Sequence, residues 1–250
     1  MFRFKRRRID KLKEKIKEEL TQENDSIEEI VVAGEPAIIM SKNRLEALSD
    51  AVFAIVMTLL TIEIKVPTFE GFHYLPNNAE LFDKLKEISP LFLAYFLSFA
   101  VLSMFWLSHH FLFHAHAKNI DRVLILLNMM YLCFLSLIPF TSQLLGEYIH
   151  SSLATTIYGL NLMCVALLNL TMYYYAWHVE HIENGVLSLR VKRQTSLRVF
   201  ITITCIGIGI LCAPISTYLS MTFYLVPVIL SNIPGLLTLI LERVLHINID

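Results

Sequence analysis

The sequence predicts an all-α, polytopic membrane protein with six transmembrane helices and both termini in the cytoplasm, on three observations. Hydrophobic residues fill 55% of the 250 positions and charged ones 17%, with a mean hydropathy of +0.57, too apolar for an ordinary water-soluble domain. A bilayer core about 30 Å thick needs roughly 20 apolar residues in helix, and six segments supply them. Basic residues then divide unevenly between the two sides that six spans create: 18 Lys and Arg share the side of the termini, against Lys65, Lys84 and Lys86 on the other. That bias sets the termini inside.

Residues 1–43 form a basic cytoplasmic segment, since 11 of the 21 Lys and Arg precede residue 45. Its Phe2, Phe4, Ile9, Leu12 and Ile16 alternate with the charges, as suits an anionic lipid surface or a packed soluble helix. No cleavable signal pattern is present. The transmembrane part, 44–250, carries helices over about 46–66, 90–113, 122–145, 153–178, 198–218 and 221–241. Between the first two, "AELFDKLKEIS" reads as a short external helix capped by Asn78, with Glu70, Glu80, Asp83 and Glu87 as a solvated acidic face. The last two spans are separated only around Tyr218 to Met221 and form an antiparallel hairpin. Pro139, Pro214, Pro227 and Pro234 are sites for kinks. The spans show no internal duplication, so any symmetric pore requires several copies of the chain.

The first span opens on charge, "RLEALSD", and then shows isoleucine, leucine and threonine along one side. On a wheel of about 100° per residue, Leu48, Ala51, Leu59 and Ile62 fall within roughly 40° of Ile55, and Thr58 near 60°. Asp50 lies about 140° away and Ser49 about 120° away on the other flank, so neither points along this stripe. A carboxylate inside a membrane costs about 2.5–3.5 kcal/mol at the helix centre unless it is answered by protein. Trp106 and His110, four apart on the second span, and Asn128 on the third are the candidate donors to Asp50. Arg44, about one and a half turns earlier, sits at the cytoplasmic lipid boundary.

Other chemistries find little footing. Cys133, Cys164, Cys205 and Cys212 all lie in apolar segments without CxxC spacing and are expected as buried free thiols. His109, His110, His114 and His116 include one i, i+4 pair but no accompanying Cys or carboxylate, so no metal site is expected. His178 and His181 read as interface residues beside Trp177. HExxH, GxSxG and P-loop patterns do not occur; an enzyme, a cofactor and a nucleic-acid partner are not expected.

Arg44, Leu48, Ser49 and Asp50 resemble the RxxxFSD signature that opens the first helix of the transmembrane protein 175 family of potassium channels, with Leu48 where the family has Phe. Trp106 and His110 resemble that family's second-helix Trp and His, which join the signature in a hydrogen-bond network. Six spans with a single signature are similar to the prokaryotic members, which assemble as homotetramers; animal members carry two repeats. The resemblance implies a potassium-selective channel of a prokaryotic plasma membrane, its pore lined by the first helix of four subunits and lacking a carbonyl filter, with permeant potassium as its ion and proton conductance possible. It further implies that Ile55 is the constriction, Leu59 and Ile62 the next apolar rings, and Thr58 the hydroxyl linked to potassium preference. The alternative is a proton-coupled secondary transporter with Asp50 and the histidines as a relay, although the inverted repeats usual in such proteins are not visible. A membrane scaffold without conduction is a third reading.

Overall fold

A computed structural model describes residues 42–69, 76–117, 119–179, 182 and 189–232. The basic segment 1–41, the tip of the first loop, His181 and the stretch beyond 232 lie outside the described residues. The regular structure among the described residues is helical: α1 (Lys42–Ile62), α2 (Asn78–Glu87), α3 (Ser89–Phe111), α4 (Arg122–Ser136), α5 (Ile138–Glu147), α6 (Ser152–His178), α7 (Leu189–Cys212) and α8 (Thr217–Asn232). Five stretches are long and apolar enough to cross a bilayer, namely Lys42–Ile62, Ser89–Ala115, Arg122–Glu147, Ser152–His178 and Val191–Cys212, and Thr217–Leu230 is a shorter apolar helix.

Local chemistry explains where the observed boundaries depart from the expected ones. The external helix is capped by Asn77, not Asn78: the Asn77 side chain accepts from the Glu80 N–H at 2.9 Å, and Glu80 Oε2 accepts from the Asn77 N–H at 3.2 Å. That reciprocal box satisfies two orphan donors, which makes the first of the two asparagines the better cap. The third span is two helices, broken at Leu137, because Pro139 in the first turn of α5 has no N–H to continue the ladder. The hairpin turn lies at Ala213–Ser216, earlier than expected. Pro214 ends α7, and Ser216 starts α8 by accepting from the Leu219 N–H at 3.4 Å. Helix α7 also begins at Leu189, because its first turns are polar and hydropathy registers apolar length rather than helix length. The four cysteines are free, but Cys133 is exposed and the other three are half-buried; they do not form part of the core.

Helix α3 ends in a π-helical turn, Leu112–His116, closed by the Ala117 N–H on the Leu112 carbonyl at 3.0 Å. Lys42 Nζ donates to the Ala117 carbonyl at 2.8 Å, which ties the start of α1 to the end of α3. Asp121 caps α4 by accepting from the Leu124 N–H at 2.8 Å and also accepts from the Tyr175 hydroxyl of α6.

Lipid tails are as apolar as leucine, so such helices associate through close packing and interhelical hydrogen bonds rather than hydrophobic burial. Both are visible in this bundle. Gly146 lets α5 approach α3 until an added Cβ would stand 2.9 Å from the Leu91 Cα. Ser98 of α3 donates to Ser142 of α5 at 2.8 Å and lies 3.0 Å from the Tyr158 hydroxyl of α6. Tyr224 of α8 fills the space over Gly159 and Gly209 and donates to the Thr155 carbonyl at 3.2 Å. Helix α1 packs on α3, α4 and α5.

Candidate functional site

Helix α1 contains no Gly or Pro, and its buried residues Leu45, Ser49, Phe53, Val56 and Leu60 recur every three or four positions. They form one face against the rest of the subunit. The opposite face is uncovered: Ile55 is 58% exposed and Ile62 70%, with Leu48 and Leu59 at 38%, and Ala51 and Thr58 exposed beside them. The Thr58 hydroxyl donates to the Ile55 carbonyl at 2.8 Å. Its proton is thereby used within the helix, and its lone pairs are left on the uncovered side.

Two polar contacts hold the back and flank of α1. On the flank, Trp106 Nε1 of α3 donates to Asp50 Oδ1 at 2.9 Å. At the back, Ser49 Oγ donates to the Leu45 carbonyl at 2.9 Å and accepts from Asn128 Nδ2 of α4 at 3.0 Å. The Asn128 Oδ1 then lies 2.7 Å from His109 Nε2 of α3. With the amide nitrogen turned toward Ser49, the oxygen must accept, so the chain of bonds assigns a proton to His109 Nε2. Ser49, His109 and Asn128 are all buried, and the His109 ring packs between Phe53, Phe113 and Tyr131 at centroid distances of 5.8, 4.7 and 5.4 Å.

Of the three donors considered for Asp50, Trp106 is the one that reaches it. Asn128 instead bridges Ser49 and His109. The His110 ring lies outside the buried chain and is stacked between Trp106 and His114, with centroids 5.6 Å from each. His109 was missed, although its phase on α3 marks it: Ser98, Leu102, Phe105, His109 and Leu112 share the buried face. Arg44 is exposed on the first turn of α1 and makes no ion pair with a described carboxylate. Glu46 was missed as well; its Oε1 is buried without a hydrogen-bond partner in the single chain. Among the described residues no group of three His, Cys, Asp or Glu is placed to hold a metal ion, and the side chain of His116 lies outside the described residues.

The helices that carry this site are also where the chain matches known proteins. The family described as the endosomal/lysosomal potassium channel TMEM175 matches residues 44–139, from the first turn of α1 to the start of α5. A protein of Streptomyces collinus named a potassium channel is 31% identical over 159 residues, which cover 62% of this chain and 74% of that one. This chain belongs to the TMEM175 family. A Chryseobacterium member, likewise named a potassium channel, is 29% identical over 195 residues, 78% of this chain and 94% of its own. The crystal structure of a lysosomal potassium-selective TMEM175 homologue from Chamaesiphon minutus superposes with a TM-score of 0.64 at 27% identity, covering 75% of this chain and 94% of that one. The human member, named an endosomal/lysosomal proton channel, is 40% identical over 111 residues, of which this chain spans only 21% of the length. The protein is thus a multi-pass, all-α membrane protein of a TMEM175 ion-channel family.

Proposed function

We propose that the chain is a potassium-selective channel that works as a homotetramer in the plasma membrane of a prokaryote, with α1 of each subunit lining the pore. The observation that carries this reading is the two-sided character of α1. Its back and flank are bonded to α4 and α3, while a continuous apolar ridge through Leu48, Ile55, Leu59 and Ile62 is left exposed among the described residues. Four such ridges around one axis make a closed, dry constriction.

Ile55 is the narrowest ring in this account, with Leu59 and Ile62 beyond it. At about 1.5 Å rise per residue, Ile55 lies roughly 10 Å along the helix from Leu48, towards mid-membrane. Rings of branched alkyl groups block ions by excluding water, and a small widening or rotation of the four helices restores a hydrated path. Apolar rings offer no ligand in place of water, so discrimination rests on pore width and on the Thr58 hydroxyls, whose free lone pairs face the ion. Ser49, Asp50, Trp106 and Asn128 position α1 and do not touch the ion; Arg44 stands exposed on its first turn. The His110 ring braces the Trp106 indole from its outer side.

The name given to the animal members favours a second activity, proton passage through the same pore. The test is mass measurement of the purified oligomer in detergent, followed by potassium and proton flux in liposomes. A tetramer that passes potassium in unitary steps supports the channel. Saturable potassium flux driven by a proton gradient supports the transporter, and no flux supports the scaffold.

A further inference from the structure

Arg198 is an exposed cation at the start of the apolar part of α7, without a described carboxylate paired to it. It follows the polar first turns of α7, which hold Lys192, Arg193, Gln194, Thr195 and Ser196, and stands where the continuous apolar run begins. A cation at the edge of an apolar span is suited to the level of anionic lipid headgroups. Arg198 lines a cavity of about 190 Å³ between α3, α6 and α7, with Leu107, Phe111 and Val199 among its apolar walls. Asn169 of α6 lines the same cavity and is 3% exposed; its Nδ2 donates to Ser108 Oγ at 2.8 Å, and its Oδ1 is buried without a partner. Turning the amide over only exchanges which of its two polar atoms is left unsatisfied.

The three features call for different parts of one ligand. Arg198 offers the cavity a planar fork of donors that suits a phosphate. Asn169 Oδ1 needs a hydrogen-bond donor, since an unpaired buried acceptor is penalised. The apolar walls need hydrocarbon. A water answers only the second need and a soluble anion only the first.

We propose that this cavity binds a phospholipid of the surrounding bilayer whose headgroup is anionic and bears a free hydroxyl, with the phosphate on Arg198, the hydroxyl donating to Asn169 Oδ1 and the start of an acyl chain along Leu107, Phe111 and Val199. The cavity takes the head end of the lipid, and the chains run on into the bilayer. This assignment requires neither conduction nor four subunits, so it stands or falls independently of the pore.

The experiment uses the full chain in nanodiscs of equal dioleoyl phosphatidylglycerol and dioleoyl phosphatidylcholine, with retained lipid counted by native mass spectrometry. Wild type is expected to retain phosphatidylglycerol about tenfold over phosphatidylcholine, the ratio that a single charge-assisted contact supplies. R198Q is expected to bring the ratio to within about twofold. R193Q, at an exposed arginine of α7 that does not line the cavity, is expected to leave it intact. Asn169→Ala supplies a second arm if R198Q does not fold: it should abolish the preference for phosphatidylglycerol over phosphatidylmethanol, which has the charge without the hydroxyl. No preference in wild type, an undiminished ratio in R198Q, an equal loss in R193Q, or an unchanged phosphatidylmethanol discrimination in Asn169→Ala overturns the proposal. Glycerol phosphate alone competing as tightly as the lipid overturns the assignment to the bilayer.

Discussion

The Trp106 indole of α3 donates to the Asp50 carboxylate of α1 at 2.9 Å, so the acid of the "RLEALSD" stretch is held from the flank of its helix and turned away from the ridge that carries Ile55. A hydrogen bond to a charged group contributes about 1.5–3 kcal/mol. Asp50→Ala and Trp106→Phe should therefore lower thermal stability in detergent by similar amounts, and the double variant should cost little more than either. Asp50→Asn keeps an acceptor and should lie between. Additive losses would mean that the two residues act separately.

Asn128 links Ser49 to His109 in the buried chain of bonds. Replacing it by Leu leaves a serine lone pair and an imidazole N–H without partners in a buried site, each at a cost of about 1–3 kcal/mol. Unfolding of Asn128→Leu in detergent should come well before that of His110→Ala, because His110 lies outside this chain and is exposed. Equal losses would place His110, not His109, in the structural network.

Close helix approach gives a paired test. Gly159→Ala puts a methyl into the Tyr224 ring system, whereas at Gly207 the nearest atom is the Met163 Cε, 3.6 Å away. The first should cost about 1–3 kcal/mol by overpacking. The second should be neutral or stabilise by up to about 1 kcal/mol, as alanine usually does in a helix. Thermal melts of the two purified variants decide it, and a Gly207→Ala variant as unstable as Gly159→Ala would contradict this packing.

Hydropathy alone located the five long apolar spans and the shorter apolar helix among the described residues, because length against bilayer thickness is a coarse requirement that composition meets; the end of the expected 221–241 span lies outside the described residues. It misplaced ends where polar or turn chemistry decides: the Leu137 break set by Pro139, the earlier hairpin set by Pro214 and Ser216, and the Asn77 cap chosen over Asn78. Within the site, the α1 stripe was legible because 3.6-residue periodicity places Leu48, Ile55, Leu59 and Ile62 together whatever the rest of the chain does. His109 was not, because attention to the Trp106/His110 spacing passed over the buried phase of α3. Arg198 and Asn169 lie 29 residues apart in sequence, and only packing of α6 against α7 shows that they share a cavity.

The central claim, that the ridge on α1 forms the constriction, is tested most directly by potassium flux through liposomes holding wild type or Ile55→Asn at matched protein content. A barrier lowered by about 1.4 kcal/mol raises passage tenfold, and a ring of amides in place of four isoleucines should wet the constriction at least that well. The account predicts an intact oligomer with about tenfold or greater potassium leak. An intact oligomer whose flux equals that of wild type would contradict it.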